Sequence, residues 1–383
     1  MGPISYHTFT ILVGLGVAVA ILNIPCRYFK LMTPFLLLIS VFTLLWVLIG
    51  GESINGANRV IPLIGGITFQ PSEIAKGTMV LVTAQILSAM QREDGADKKA
   101  FKYILIVLLP ITFLIGIENL STAALLFAVI VLMMFIGRVP LVQMGRLIGV
   151  ITIAVVVFII LIMTLGSFEG DDKHAEKTYV AESVEGGNTD KTVIKGGGVF
   201  HRFATWRNRI IKHLDKKEVP PEDFDLEENY QVGHANIAIS SSNVIGKGPG
   251  NSTERDYLPQ AFSDFIYAII IEESGLIGAT VVVFLYIILL YRAARIANRC
   301  ENNFPAFLVM GLALLLVVQA SFNMMVAVGL APVTGQPLPL ISKGGTSTII
   351  NCAYIGAMLS VSKSAKFRTD KGKNDIKQET EQE

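Results

Sequence analysis

Long apolar runs follow one another through this chain and constrain its fold more than any other feature. An α-helix rises about 1.5 Å per residue, so about 20 apolar residues can cross the roughly 30 Å hydrocarbon core of a bilayer. Nine runs approach that length, at residues 9–25, 31–50, 73–90, 101–117, 119–137, 146–166, 264–291, 304–330 and 344–362. The sequence therefore predicts an all-α fold, a polytopic membrane helix bundle with nine spans.

The composition agrees with this prediction. Hydrophobic residues make up 52% of the chain, charged residues 16%, and the mean hydropathy is +0.55. One soluble core of 383 residues could not hide that much apolar surface, so the predicted surroundings are membrane lipids. The formal net charge is only +1, which gives no reason to expect a nucleic-acid partner.

Basic residues orient the predicted spans. They gather at residues 27–30, 92–102, 138–146, 292–299 and 363–377. By the positive-inside rule these connections are cytoplasmic. The outward segments are then 51–72, 167–263 and 331–343. The predicted organisation is a membrane domain over residues 1–366, which includes a large extracytoplasmic loop at 167–263, and a polar, disordered cytoplasmic tail at 367–383.

The outward loop contains an amphipathic pattern at residues 201–214, HRFATWRNRIIKHL. Its apolar side chains recur at intervals of three and four, which is typical of a helix at an interface. We expect it to pack on the membrane-proximal surface. The alternative is that Arg202, Arg207 or Arg209 meets an anionic ligand.

Asp264 stands at the junction between a polar, glycine-rich loop and the apolar run 264–291. An ionised carboxylate at such a depth is costly unless a partner, a metal ion or a catalytic use offsets its burial. Asp264 is therefore the first candidate for a functional side chain.

A second candidate lies in GANRVIPLIGGITFQPSEIAK, residues 56–76. Pro71 is suited to the first turn of a helix, and the three-residue spacing of Glu73 and Lys76 places both on one face. The two charges could form an ordinary local ion pair. Just inside a membrane helix, however, they must face protein or water rather than lipid.

Three further segments interrupt the apolar pattern. In IENLSTAALL, residues 117–126, Ser121 and Thr122 are predicted to cap the helix that follows a short outward turn. In the loop at 246–252, three glycines beside Lys247 could let the backbone approach a pyrophosphate, although a plain loop explains them about as well. Prolines and glycines in GLAPVTGQPLPLISKGGTS, residues 329–347, predict a re-entrant or kinked element that lines a cavity.

These segments resemble, in order and spacing, the signatures of the SEDS family (shape, elongation, division, sporulation), which are polytopic peptidoglycan polymerases. Residues 56–76 are similar to GARRWI…FQPSEFAK, and residues 329–347 to GLLPVTGIPLPFISYGGSS, with Lys343 in place of the usual tyrosine. NYQVGHANIAISSSNVIGKGPGNST is similar to YQ…ALIAIGSGGLFGKGLGNST, and SDFIYAIIIEESG follows it. The resemblance covers residues 9–363.

The resemblance implies a SEDS-type fold and glycosyltransferase activity on lipid II, in which a sugar 4-hydroxyl attacks an anomeric carbon and lipid pyrophosphate leaves. Asp264 matches the family's catalytic aspartate. It would act as general base, or hold a divalent cation, Mg²⁺ or Mn²⁺, that serves the pyrophosphate. No other cofactor is expected. The substrate-binding residues predicted on this basis are Arg59, Gln70, Glu73, Lys76, Lys247, Asn251, Ser252 and Lys343.

Within the family, residues 118–126 and 335–363 look most like the division-type FtsW branch of Bacteroides-like bacteria, with the elongation-type RodA branch as the alternative. The implied partners are a class B penicillin-binding protein and other division proteins, at the septum of a bacterial cytoplasmic membrane. Family members usually have ten spans, so the family's first helix is expected to be missing here. A lipid-linked precursor transporter (flippase) and a non-catalytic division scaffold remain the alternative functions.

Overall fold

The computed structural model describes residues 3–50, 52–54, 57–62, 68–165, 230–258 and 261–380. Within these ranges the α-helices are α1 (Pro3–Leu22), α2 (Cys26–Gly50), α3 (Pro71–Ala89), α4 (Lys98–Glu118), α5 (Leu120–Ile136), α6 (Leu141–Leu165), α7 (Tyr230–Ser240), α8 (Ile266–Ala297), α9 (Asn303–Ala327) and α10 (Gly345–Thr380). Each of the nine predicted apolar runs falls on one of them. The predicted helical fold is confirmed.

Four of these helical segments are long enough and apolar enough to cross a membrane: Cys26–Ile49, Lys98–Glu118, Ile266–Ala297 and Asn303–Ala327. Three further apolar segments are shorter, at His7–Leu22, Leu120–Ile136 and Leu141–Ala154. These figures refer to the described part of the chain. Together they make this a multi-pass membrane protein.

Short strands join some of the helices, a feature that the apolar pattern did not predict. β1 (Glu52–Ile54), β2 (Ala57–Pro62) and β3 (Thr68–Phe69) form a sheet in that order, in which β2 and β3 are antiparallel. β4 (Gln91–Arg92) and β5 (Gly95–Ala96) form a hairpin between α3 and α4.

Helix α9 is the centre of the larger of two compact units, which holds residues 1–54, 58–144 and 225–383. It packs against α3, α5 and α8, while α1 packs along α10 and α2 packs against α3. Helix α2 turns large apolar side chains such as Phe35, Leu38 and Phe42 outward, as expected for contact with lipid. All the site residues discussed below belong to this unit, and most of α6 belongs to the other.

The first turn of α5 is capped differently from the prediction. Asn119 occupies the cap, and its side-chain oxygen accepts hydrogen bonds from the backbone N–H groups of Ser121 (3.1 Å) and Thr122 (3.3 Å). Ser121 and Thr122 are therefore capped residues and not caps. Asn is as good a cap as Ser, and it comes first in the chain.

The last helix, α10, continues to Thr380 and so includes most of the tail at 367–383; the disorder expected there stays a prediction. Lys, Arg, Gln and Glu are good helix formers, and a helix that is already nucleated extends at little cost. The predicted amphipathic helix at 201–214, by contrast, lies outside the described residues, as does most of the loop 167–263.

Candidate functional site

Asp264 lies half-buried in the turn that leads into α8. Its Oδ1 accepts a hydrogen bond from Ser263 Oγ at 3.0 Å, and its backbone carbonyl accepts one from Asn323 Nδ2 at 2.8 Å. The next residue, Phe265, is buried in an apolar cluster with Ala261 and Ala268. The carboxylate is therefore held on a fixed backbone, with packing on one side and an α9 amide on the other.

Glu73 and Lys76 form the ion pair that their spacing predicted. Lys76 Nζ lies 2.8 Å from Glu73 Oε1 and donates a hydrogen bond to Gln319 Oε1 at 2.7 Å. Both charged side chains are buried, with 1% and 0% of their surface exposed. Buried charges of this kind persist only when they are paired and hydrogen-bonded within the protein.

Two amides of α9, Gln319 and Asn323, connect this ion pair to the turn at Asp264. They stand four residues apart and so share one helix face. Gln319 Nε2 donates to Pro337 O at 3.1 Å, and Asn323 Nδ2 donates to Gln336 O at 2.7 Å as well as to Asp264 O. We call Lys76, Gln319, Asn323 and Gln336, together with the backbone of Asp264, the polar seam.

The segment 331–344 completes the seam and lacks helical structure, as its prolines predicted. Gln336 Nε2 donates to Thr122 Oγ1 at 2.6 Å. Ser342 Oγ accepts from Leu338 N at 2.7 Å and donates to Ser263 O at 2.5 Å. Non-helical backbone at membrane depth is tolerated where such contacts satisfy it. The segment therefore clamps the residue that precedes Asp264.

Lys343 belongs to the same clamp. Its backbone N–H donates to Phe262 O at 2.7 Å, two residues before Asp264, and its side chain is half-buried. The structure thus places this predicted substrate-binding residue beside the catalytic candidate. The hydrogen bond between Lys343 and Phe262 joins backbone atoms of both residues.

A second carboxylate, Glu272, organises the glycine-rich loop. Its side chain is fully buried and accepts hydrogen bonds from Lys247 Nζ (2.6 Å), Ser252 Oγ (2.5 Å) and Thr253 N (3.1 Å). Lys247 and Ser252 were predicted to bind substrate, but in the structure both serve this internal carboxylate. The reason is that a buried carboxylate needs donors, and the loop supplies the nearest ones.

The loop glycines also serve the protein backbone. Gly246 crosses α8 where Gly275 kinks that helix, so closely that a Cβ on either glycine would overlap backbone atoms of the other segment. Gly248 N donates to Glu273 O at 2.8 Å, and Asn251 Nδ2 donates to Lys247 O at 3.1 Å. Gly246 therefore allows a close approach to α8, and the approach of the loop to a pyrophosphate stays a prediction. Asn251 likewise stabilises the loop.

The other two residues predicted to bind substrate, Arg59 and Gln70, precede α3 in the chain. Gln70 is the residue before the helix, and its Nε2 donates to Ser72 Oγ at 3.1 Å. Arg59 lies on β2, and its side chain is outside the described part of the structure.

Among the residues that the structure describes, no group of three His, Cys, Asp or Glu side chains could hold a metal ion. A cation at Asp264 could take further oxygen ligands from substrate or water, as Mg²⁺ commonly does. That role stays a prediction.

The sequence carried signals for the residues that were missed. Gln319 and Asn323 are amides in an otherwise apolar run, and Glu272 is an acid eight residues into the apolar run that begins at Asp264. Polar residues within spans usually face the bundle interior and mark functional or structural networks. Their pairing could not be deduced, because Lys76 and Gln319 are 243 residues apart.

Replacing Glu272 with Gln is expected to loosen the loop 246–253. The amide would keep one acceptor but turn its NH₂ toward Ser252 or Lys247, leaving a buried donor unsatisfied at a cost of about 1–3 kcal/mol. Hydrogen exchange of the loop amides, followed by mass spectrometry, should accelerate about tenfold or more. The neighbouring Glu273→Gln variant is the matched control, since Glu273 is less buried. Equal exchange in the two variants would contradict the anchoring role of Glu272.

Gly275→Ala is expected to destabilise the protein. Gly275 has φ of 66° and ψ of −164°, and an added Cβ would overlap the carbonyl oxygen of Val244. Such strain costs about 1–3 kcal/mol, so the melting temperature in detergent should fall by several degrees. Gly16→Ala is the control, because nothing lies within 4 Å of its added Cβ. A melting temperature equal to that of the control would show that the kink is not required.

Comparison with known proteins places this arrangement in a family. Residues 4–169 and 191–367 match the FtsW/RodA/SpoVE family model, described as cell cycle protein. A probable peptidoglycan glycosyltransferase FtsW from Aromatoleum aromaticum is 29% identical, over 93% of this chain and 77% of its own length. The peptidoglycan glycosyltransferase MrdB of Escherichia coli is also 29% identical, over 92% and 83%.

Solved structures share the fold. A chain from a peptidoglycan synthase complex that coordinates polymerization and crosslinking superimposes with a TM-score of 0.69 at 22% identity, covering 95% of this chain and 90% of that one. The rod shape determining protein RodA of Thermus thermophilus gives 0.59 at 20% identity, covering 94% and 87%. The family model matches well over half of the residues. This chain belongs to the FtsW/RodA/SpoVE family.

Proposed function

We propose that this protein is a peptidoglycan glycosyltransferase that polymerises lipid II into glycan strands at the outer face of the cytoplasmic membrane. The observation that carries the proposal is the placement of Asp264. Its carboxylate stands at the start of an apolar helix, on a backbone that is hydrogen-bonded to the same α9 face that holds the buried Lys76. Relatives that are 29% identical over more than nine-tenths of the chain carry the same activity in their names.

The chemistry requires one proton acceptor. The 4-hydroxyl of the acceptor sugar attacks the anomeric carbon of the donor, the new C–O bond forms, and the bond to the diphosphate oxygen breaks. Asp264 takes the hydroxyl proton, and undecaprenyl pyrophosphate leaves with the bonding electrons. General-base catalysis of this kind contributes about 10²–10⁴-fold in rate.

The leaving diphosphate needs positive charge nearby. Lys76 is fully buried and already bound to Glu73 and Gln319, so its role is to hold α3 against α9 rather than to touch substrate. Lys343 is better placed, because its backbone is bonded to the Asp264 turn. We propose that Lys343 binds the diphosphate and that Arg59 is the second cation of the site.

A lipid-linked precursor transporter is the second candidate. The non-helical segment 331–344 and the buried amides of α9 would also suit a translocation path. The discriminating experiment supplies fluorescent lipid II to the purified protein in proteoliposomes. Glycan strands on a gel support the enzyme, whereas movement of lipid II between leaflets without strands supports the transporter. A division scaffold would produce neither result.

The proposed partner is a class B penicillin-binding protein at the division septum, which would crosslink the strands made here. Support comes from the peptidoglycan synthase complex that shares this fold. The FtsW-type and MrdB relatives are equally similar to this chain, so the choice between division and elongation stays a prediction. Co-purification from the native membrane with a division-type or an elongation-type transpeptidase tests this choice.

A further inference from the structure

Three arginines that the proposed reaction does not use lie at the C-terminal end of α8 and just beyond it. Arg292, Arg295 and Arg299 follow Asp264 by 28, 31 and 35 residues. At about 1.5 Å per helical residue, these intervals correspond to roughly 40–50 Å, somewhat more than the hydrocarbon core of a bilayer. We therefore expect the arginines at the headgroup level of the leaflet opposite Asp264, in agreement with the positive-inside rule.

These arginines line a groove of about 210 Å³ between α8 and α10. Their spacing of three and four residues places them along one face of the chain. The other wall is formed by Ile355, Met358, Leu359 and Ser362 of α10. The groove thus combines a cationic rim, an apolar wall and one hydroxyl group.

The positive charge of the groove is not balanced within the described part of the chain. None of its three arginines forms an ion pair there, whereas Arg92, Lys76 and Lys247 each pair with a carboxylate. Arg295 stacks over the ring of Tyr291, with 5.9 Å between its guanidinium carbon and the ring centroid. Among the side chains that the structure describes, none that lines the groove is acidic. A larger cavity of about 460 Å³ shares Arg299, but its lining includes Glu301. The smaller groove is therefore the better anion site.

We propose that this groove binds the phosphate headgroup of an anionic phospholipid such as phosphatidylglycerol. Guanidinium groups bind phosphate oxygens with paired N–H donors, and the Ser362 hydroxyl can donate one more hydrogen bond. The apolar wall suits the upper part of an acyl chain, and basic pockets between membrane helices are known to hold anionic headgroups. A zwitterionic lipid brings a cation of its own, which the three arginines would repel. The site does not depend on the proposed polymerase activity.

The test compares two triple variants of the full chain in detergent, with bound lipids counted by native mass spectrometry. The first variant removes the cationic rim of the groove and is Arg292→Gln/Arg295→Gln/Arg299→Gln. Lys98→Gln/Lys99→Gln/Lys102→Gln removes the same charge from exposed positions on α4. We expect phosphatidylglycerol affinity to fall about 100-fold in the arginine variant, since each basic residue near an anionic headgroup contributes about fivefold. The lysine variant should change less than twofold, and phosphatidylcholine binding should change in neither.

Equal losses in the two triple variants, or no loss in the arginine variant, would overturn the proposal. Displacement of phosphatidylglycerol by an equal concentration of inorganic phosphate would overturn it too, because it would show a phosphate site with no preference for a lipid. If the arginine triple variant does not fold, the single variants Arg295→Gln and Arg299→Gln replace it. Each should then weaken phosphatidylglycerol binding about fivefold, and unchanged binding in both would reject the site.

Discussion

Asp264→Asn is expected to reduce glycan synthesis by at least about 100-fold while lipid II binding is retained. The amide has nearly the same shape and can still accept from Ser263 Oγ, but it cannot take a proton from the attacking hydroxyl. The measurement is the initial rate of strand formation from fluorescent lipid II by purified protein, with the proposed transpeptidase partner added. Lipid II affinity is determined in the same preparation.

Asp256→Asn is the control for this variant. Asp256 lies in the same outer region, in the turn Glu254–Asp256, and 77% of its side chain is exposed. Its loss should leave the rate within about twofold of the unmodified protein. A normal rate with Asp264→Asn would remove Asp264 from the chemistry. Equal losses of binding and rate would make it a substrate ligand instead.

Lys76→Met is expected to destabilise the protein by about 3–5 kcal/mol, because it leaves Glu73 as an unpaired charge in the interior. The melting temperature in detergent should fall by about 6–10 °C. Adding Glu73→Gln should restore most of this loss, since replacing both partners of a buried pair is often close to neutral. Lys102→Met, at an exposed position on α4, is the control and should have little effect.

Activity separates this stability effect from a substrate-binding role of Lys76. If Lys76 only holds α3 against α9, the stabilised double variant should recover polymerase activity along with its melting temperature. Recovery of stability without activity would return Lys76 to the role of a pyrophosphate ligand. A double variant as unstable as Lys76→Met would contradict the ion-pair explanation itself.

The sequence predicted the helices well, because apolar runs of bilayer length have few other structures open to them. It also predicted the Glu73–Lys76 pair, since a spacing of three fixes the geometry on a single helix. Both predictions depend on local pattern, which the sequence contains in full.

The protein partner of the loop residues could not be predicted from the sequence, for a physical reason. The glycines and Lys247 had two possible partners, a phosphate or another part of the protein, and local pattern does not distinguish them. The structure supplies the second partner, Glu272, which is 25 residues from Lys247. In the same way, Asn323 reaches Asp264 across 59 residues. Contacts at such separations depend on tertiary packing that no short motif encodes.

The most direct measurement is a structure of the Asp264→Asn variant with lipid II in acceptor and donor positions, determined by electron cryomicroscopy. If Asp264 is the general base, the acceptor 4-hydroxyl lies about 2.6–3.2 Å from the side chain at position 264, within hydrogen-bonding reach. Sugars bound elsewhere on the protein, with no substrate hydroxyl in reach of that side chain, would contradict it.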